Sequence, residues 1–404
     1  NIMIRIILLI LLFNISPICS QNFKKIDSLI ENSIELKAFP GAQLYLKNPD
    51  YTYSKSYGFH TYDSLIKVEQ DHLYDLASIT KTLAATLAIM KLYDEKKLRL
   101  DDIISKHIKR LNSSNKKNSS FHELLIHQSG WKPYISHQLS LIKKNGKLKS
   151  RFIYDEGSKK RIQVANNLFI KKSYYNKIVR KIKRTKIKSK GEYLYSGLFF
   201  CLVPEIVENI SGESFQSYLY ENFYSKIGVN LMFNPAKNYQ LNKIVPTEND
   251  VTFRKQLIQG YVHDETAAIM GGISGNAGLF GSANDVGKMS ELLLNRGKLN
   301  SEQIINENTV KYFSNPENYK NERAVRGLGF DKPRLTSSGK ITPSQKFSDL
   351  SYGHTGFTGT FFWIDPEKET IIVLLTNRVY PSRSYENLYD LDVRRKLVDI
   401  VIEN

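Results

Sequence analysis

The chain has 404 residues, a net charge of +18, 41% hydrophobic residues and only two cysteines. That size excludes a disulfide-stapled mini-protein and suits one large domain or two close-packed lobes. The basic balance allows an anionic partner, but no zinc-finger spacing or RNP-like aromatic motif accompanies it, so nucleic acid is not expected.

In chain order, Arg5 precedes the apolar run Ile6 to Phe13, and Pro17-Ile18-Cys19-Ser20 follows. This is the pattern of a secretory signal, residues 1–20, with cleavage expected after Ser20. The run is too short to span a bilayer. The expectation is a secreted, periplasmic protein whose remaining cysteine, Cys201, is a small core residue in an apolar stretch. Residues 21–404 then form the functional domain.

Residues 42–47 and 51–62 read as two strands around Asn48-Pro49-Asp50. A helix apolar nearly all round follows Ser78, and such helices are normally buried. Short helices are expected at Ile103 to Leu111 and Phe121 to His127. Residues 136–190 are polar, basic and weakly periodic, and predict an irregular insertion. Helical spacing resumes at Tyr193 to Ile210 and Phe215 to Tyr224. Thr360 to Ile364 and Thr370 to Thr376 flank Asp365-Pro366-Glu367-Lys368 as a hairpin, and Leu391 to Ile402 is an amphipathic helix. Strands at both ends with helices between predict an α/β (α+β) fold: one antiparallel sheet built from the two termini, flanked by helices, with a mainly helical lobe inserted.

Ser78 and Lys81 stand three apart at the start of the apolar helix, so the amine can reach the hydroxyl. A serine hydroxyl becomes nucleophilic when a neighbouring base takes its proton, and a desolvated lysine can do so. The same spacing recurs at Ser64, Ser113, Ser114, Ser129, Ser140 and Ser337, and only Ser78 has the strand-then-buried-helix context. Tyr195, in Glu192-Tyr193-Leu194-Tyr195-Ser196-Gly197, could relay a proton beside a lysine. Tyr352-Gly353-His354-Thr355-Gly356-Phe357-Thr358-Gly359 leads into a strand, and its glycines allow a substrate to lie against bare backbone. A strand-edge amide there, with that of Ser78, could form an oxyanion hole.

His122 and His127 fall five apart, about 140° around a helix, so both cannot grip one zinc. A G-x-S-x-G elbow is absent from the sequence, which argues against an α/β-hydrolase. No metal or cofactor is expected.

The three clusters, in this order, resemble the penicillin-recognising serine hydrolases, which include class C β-lactamases, DD-peptidases and related esterases. Leu124-Leu125-Ile126-His127-Gln128-Ser129-Gly130 is similar to that family's LLxHxSG turn. Gly271-Gly272-Ile273-Ser274-Gly275-Asn276-Ala277-Gly278-Leu279-Phe280 is similar to its GGxxGxAGLF loop. Pro246-Thr247-Glu248 and Gly260-Tyr261-Val262-His263-Asp264 resemble the Bacteroidetes branch often fused to family 3 glycosidases.

The resemblance implies a β-lactamase/transpeptidase-like fold. It implies Ser78 as nucleophile, Lys81 as base, Tyr195 as proton relay and His354 on the cleft strand. The amides of Ser78 and Phe357 would form the oxyanion hole, with Thr355 and Gly356 along the substrate. Gly197 stands where the family usually has Asn or Asp, and His354 where many members have lysine. Both departures point toward esters or D-amino-acid amides and away from strong β-lactamase or D-Ala-D-Ala carboxypeptidase activity, with Arg378 and Arg383 as other cations for a substrate carboxylate. The alternative is a catalytically impaired wall-binding protein on the same fold. Either way, the expected partners are a small-molecule ester or peptidoglycan-type substrate and, through the basic insertion, an anionic wall polymer or membrane surface.

Overall fold

The structure is a computed structural model that describes residues 17–315, 326–336 and 339–402. Most of the expected signal segment lies outside the described residues. A helix, Pro17–Glu35, leads into the strands Gly41–Lys47 and Thr52–Gly58. Three strands from the other end of the chain, Tyr352–Thr355, Phe361–Asp365 and Thr370–Thr376, complete an antiparallel five-stranded sheet. Thr370–Thr376 pairs with Gly41–Lys47, so the two termini meet in the middle of the sheet, with Leu44 opposite Leu374.

Alternation along these strands sends side chains to two apolar layers. On one face Leu44, Trp363 and Leu374 pack with Ile26 and Ile30 of the first helix and Leu397, Val398 and Val401 of the last. On the other, Tyr45, Phe362 and Val373 join the large core of the helical lobe. Each fully buried aliphatic or aromatic side chain contributes roughly 1.5–3 kcal/mol, and this double layer makes the sheet a rigid platform for the site on its edge strand.

Two expectations need correction. Residues 136–190 are ordered: Ile153–Tyr154, Arg161–Ala165 and Leu168–Lys171 form a small sheet, and Tyr175–Arg184 is a helix. The helix buries Ile178, Val179 and Ile182, an apolar stripe hidden in the sequence by the surrounding lysines. Tyr193 to Phe199 is not helical; the helical turns begin at Phe200. Leu194 N–H donates to His127 O and Gly197 N–H to Pro133 O, so this segment lies along the LLxHxSG turn instead of coiling.

Candidate active site

Tyr74–Asp75 pairs with Leu279–Gly281 and then turns sharply into the apolar helix. At that turn Ala77 takes φ +47°, a conformation uncommon for a residue with a Cβ. It is held there by the buried Asp75, whose Oδ1 accepts from Ala77 N–H at 2.8 Å and Oδ2 from His263 N–H at 2.6 Å. Burial raises the Asp75 pKa, against the pull of those two amides. The strained turn delivers Ser78 to the floor of a cavity of about 500 Å³, which Lys81, Tyr195, Gly197, Asn276 and Phe357 also line.

Lys81 is buried, and its ammonium donates to Ser78 Oγ at 2.8 Å and to Asn276 O at 2.8 Å. Tyr195 is joined to both Ser78 and Lys81. Burial raises its phenol pKa, but the charges of Lys81 and Arg326 and the hydrogen bonds to Ser78 and Lys81 outweigh that and leave it below the ordinary value. Ser196 N–H donates to His127 Nδ1 at 3.2 Å, and the His127 ring lies 4.5 Å from that of Tyr195. His127 therefore packs the tyrosine in place.

Among the described residues neither the Ser78 nor the Phe357 amide N–H donates to a protein acceptor. The Gly356 amide, by contrast, donates to Thr360 O at 2.8 Å and is not free for a substrate. A Cβ on Gly356 would stand 2.7 Å from Leu76 O and 3.1 Å from Ala77 Cβ, so glycine is what lets the cleft strand close against the nucleophile turn. Thr358 Oγ1 and Thr360 Oγ1 tie the same turn to Asp75 O and Leu76 O.

His354 is 2% exposed and stands behind Tyr195, ring centroids 6.2 Å apart. Its Nδ1 donates to Thr355 O at 2.7 Å, which fixes the tautomer. Burial, then the charges of Arg326 and Lys81, hold its pKa well below the usual range, so the ring is neutral. A lysine placed there would be a buried third cation.

The positive charge in this corner belongs to Arg326, which the sequence reading missed. It is 1% exposed, ion-paired through Nη1 with Asp331 Oδ1, and its guanidinium carbon lies 5.6 Å from the Tyr195 ring centroid. Its Nε and Nη2 have no partner among the described residues. An arginine heading the apolar stretch Gly327-Leu328-Gly329-Phe330 is the signal that could have found it. Arg378 and Arg383 are otherwise engaged. Arg378 is buried over the Phe357 ring at 4.6 Å, and Arg383 bridges Glu248 (2.6 Å) and Glu265 (2.9 Å) at the cavity edge.

At Gly197 an added Cβ would meet Lys81 Cε at 3.9 Å and Asn276 Cβ at 4.0 Å. The missing side chain leaves space, and the Asn276 backbone carbonyl takes the lysine hydrogen bond nearby.

The beta-lactamase family profile matches residues 26–395. The chain belongs to that family. A candidate D-alanyl-D-alanine carboxypeptidase of Escherichia coli K12 is 30% identical over 388 residues, which cover 89% of this chain and 82% of the relative. Among solved structures, the D-amino acid amidase of Ochrobactrum anthropi superposes with TM-score 0.66 at 14% identity, covering 94% of this chain and 99% of that one. The hydrolase EstCE1, described as having promiscuous acyltransferase activity, superposes with TM-score 0.65 at 17% identity, covering 95% and 99%. The protein is thus a serine hydrolase of the β-lactamase and penicillin-binding-protein type, with that family's fold.

Proposed function

We propose that the protein cleaves small esters or D-amino-acid amides through an acyl-enzyme on Ser78. The observation that carries this reading is the 2.8 Å contact between Lys81 Nζ and Ser78 Oγ, with Tyr195 on the same pair. In acylation Ser78 Oγ attacks the carbonyl carbon while its proton passes to the Lys81–Tyr195 pair. The carbonyl oxygen, now negative, receives the two unengaged amides of Ser78 and Phe357. Collapse expels the alcohol or amine, which takes the proton back through Tyr195. Water then repeats the sequence on the acyl-enzyme.

Substrate choice follows from the charges. The cleft strand carries a neutral, buried His354, and Arg383 is already shared by two carboxylates, so a substrate carboxylate finds weak support and β-lactams should be poor substrates. The similarity to a D-amino acid amidase fold and to a candidate D-alanyl-D-alanine carboxypeptidase supports D-amino-acid amides, with those lacking a free C-terminal carboxylate preferred over D-Ala-D-Ala peptides. The residues 1–20 pattern favours export to the periplasm. Reaction with a fluorophosphonate, followed by peptide mapping, tests the reading: the adduct is expected on Ser78, and no adduct together with no turnover of p-nitrophenyl esters would leave the non-catalytic wall-binding alternative.

A further inference from the structure

Nearly all of the net charge sits in one segment. Residues 136–190 hold 18 Lys and Arg against Asp155 and Glu156, while the rest of the chain has 40 basic and 38 acidic residues. A drift in composition would spread the excess; this excess is local. Among the described residues, Lys190–Glu123 at 3.0 Å is the only ion pair the segment makes.

The helix Tyr175–Arg184 shows how the charge is arranged. It turns Ile178, Val179 and Ile182 inward. Lys177, Arg180, Lys181 and Arg184 recur at i, i+3, i+4 and i+7, on the opposite side. The helix has no acidic residue. Like charges at these spacings weaken a helix. Lys181, Lys183 and Arg184 suit the negative end of the helix dipole, but Lys177 and Arg180 gain little from it. Lys177 lies over the Phe152 ring at 3.9 Å and Lys181 donates to Ser140 Oγ, while Arg180 and Arg184 are exposed, so the row carries more positive charge than its local contacts use.

The segment adjoins the cleft. Ser136 and Gln138 line the cavity, and Lys188 N–H donates to Gly130 O at 2.9 Å. Of its large apolar side chains, Leu139 is the one exposed. A surface with so little apolar area to insert suits a chain-like anion better than a bilayer. Fourteen of the 18 basic residues are lysines, compact charges suited to phosphate more than to the bidentate recognition of carboxylates.

We propose that residues 136–190 form a docking surface for a linear, phosphate-bearing polyanion, held beside the mouth of the cleft. The inference does not depend on the hydrolase reading. Its test is titration of the full chain with long-chain inorganic polyphosphate over a range of salt. Binding should weaken steeply as salt rises, because each neutralised phosphate releases a counterion. The variant K177E/R180E/R184E should bind at least tenfold more weakly, with unchanged ester turnover and an intact thermal transition. The control K24E/K25E/K37E makes the same charge change on exposed sites elsewhere and should bind nearly as wild type. Equal losses in both variants would reduce the effect to net charge and overturn the proposal. So would binding to phosphatidylglycerol vesicles without binding to polyphosphate.

Discussion

Around Ser78 the charged side chains are buried or half-buried and engaged across the fold, whereas in residues 136–190 most face water in rows of one sign. Asp75 takes two backbone amides, Arg326 holds Asp331, and Arg383 bridges Glu248 and Glu265. In the basic lobe one ion pair serves the whole segment among the described residues. Buried charges act over short distances with little screening, so they shift their neighbours' protonation and serve chemistry. Exposed charges act through a field that salt weakens. One chain thus separates buried charge that acts on its immediate neighbours from exposed charge that acts at a distance.

The largest effect is expected at the nucleophile pair. Ser78→Ala and Lys81→Ala should each lower kcat/KM on p-nitrophenyl esters by on the order of 10⁴-fold with folding retained, because members of such a unit fail together. Steady-state kinetics with a thermal melt checks this; wild-type turnover by Ser78→Ala would remove the serine mechanism altogether.

Next comes the cation behind the relay. Arg326 helps the Tyr195 oxygen bear negative charge. Arg326→Met removes that help, raises the phenol pKa and moves the acid limb of the kcat/KM profile to higher pH, and Arg326→Lys should restore part of the shift. A lowered rate with an unmoved limb in both variants would make Arg326 a purely structural residue. Tyr195→Phe should cost roughly 10²- to 10⁴-fold, the usual range for a proton-transfer group.

Much of this was legible in the sequence, for physical reasons that differ by element. The central strands read clearly because they are apolar on both faces or alternate cleanly, and their turn carries Asp365-Pro366. Ser78 read clearly because a buried helix following a strand is rare context for a lysine. Arg326 was hidden because it gains its role from Tyr195, 131 positions away in the chain. The inner face of the basic lobe was hidden because three apolar residues were outnumbered by charge. That the Gly356 amide is bonded to Thr360 O was hidden because spacing alone does not tell a free amide from an engaged one.

Part of the acid-side stability should rest on the cleft corner, and none on the basic segment, where neither carboxylate is paired among the described residues. Glu248 is buried, which raises its pKa, but hydrogen bonds from His263 and Arg383 outweigh this and hold it down to about 2. A carboxylate lowered in the folded state stabilises above its ordinary pKa, and that contribution fades as pH falls from about 4.5 toward 2. The full contribution at neutral pH is about 3 kcal/mol. Glu248→Gln should flatten part of the fall in Tm over that acid window, while K177Q/R180Q/R184Q, which adds no titrating group, should leave its shape unchanged. An unaltered fall in Glu248→Gln would place the acid-sensitive group elsewhere.

The smallest expected change lies at Gly197, where space and not charge is at issue. Nothing stands closer than 3.9 Å to an added Cβ, so Gly197→Ala should alter stability by no more than about 0.5 kcal/mol. Gly197→Asn adds an amide beside Lys81 and Asn276, able to accept from the lysine or meet a substrate amide. A hydrogen bond involving a charged group is worth roughly 1.5–3 kcal/mol, but the Asn276 carbonyl already receives Lys81. The gain should therefore appear only in the substrate contact, as a rise of about tenfold or less in kcat/KM for D-amino-acid amides relative to esters. If ester and amide turnover both fall instead, the new side chain has drawn Lys81 away from Ser78, and the open space at Gly197 is a requirement of this site rather than a loss from it.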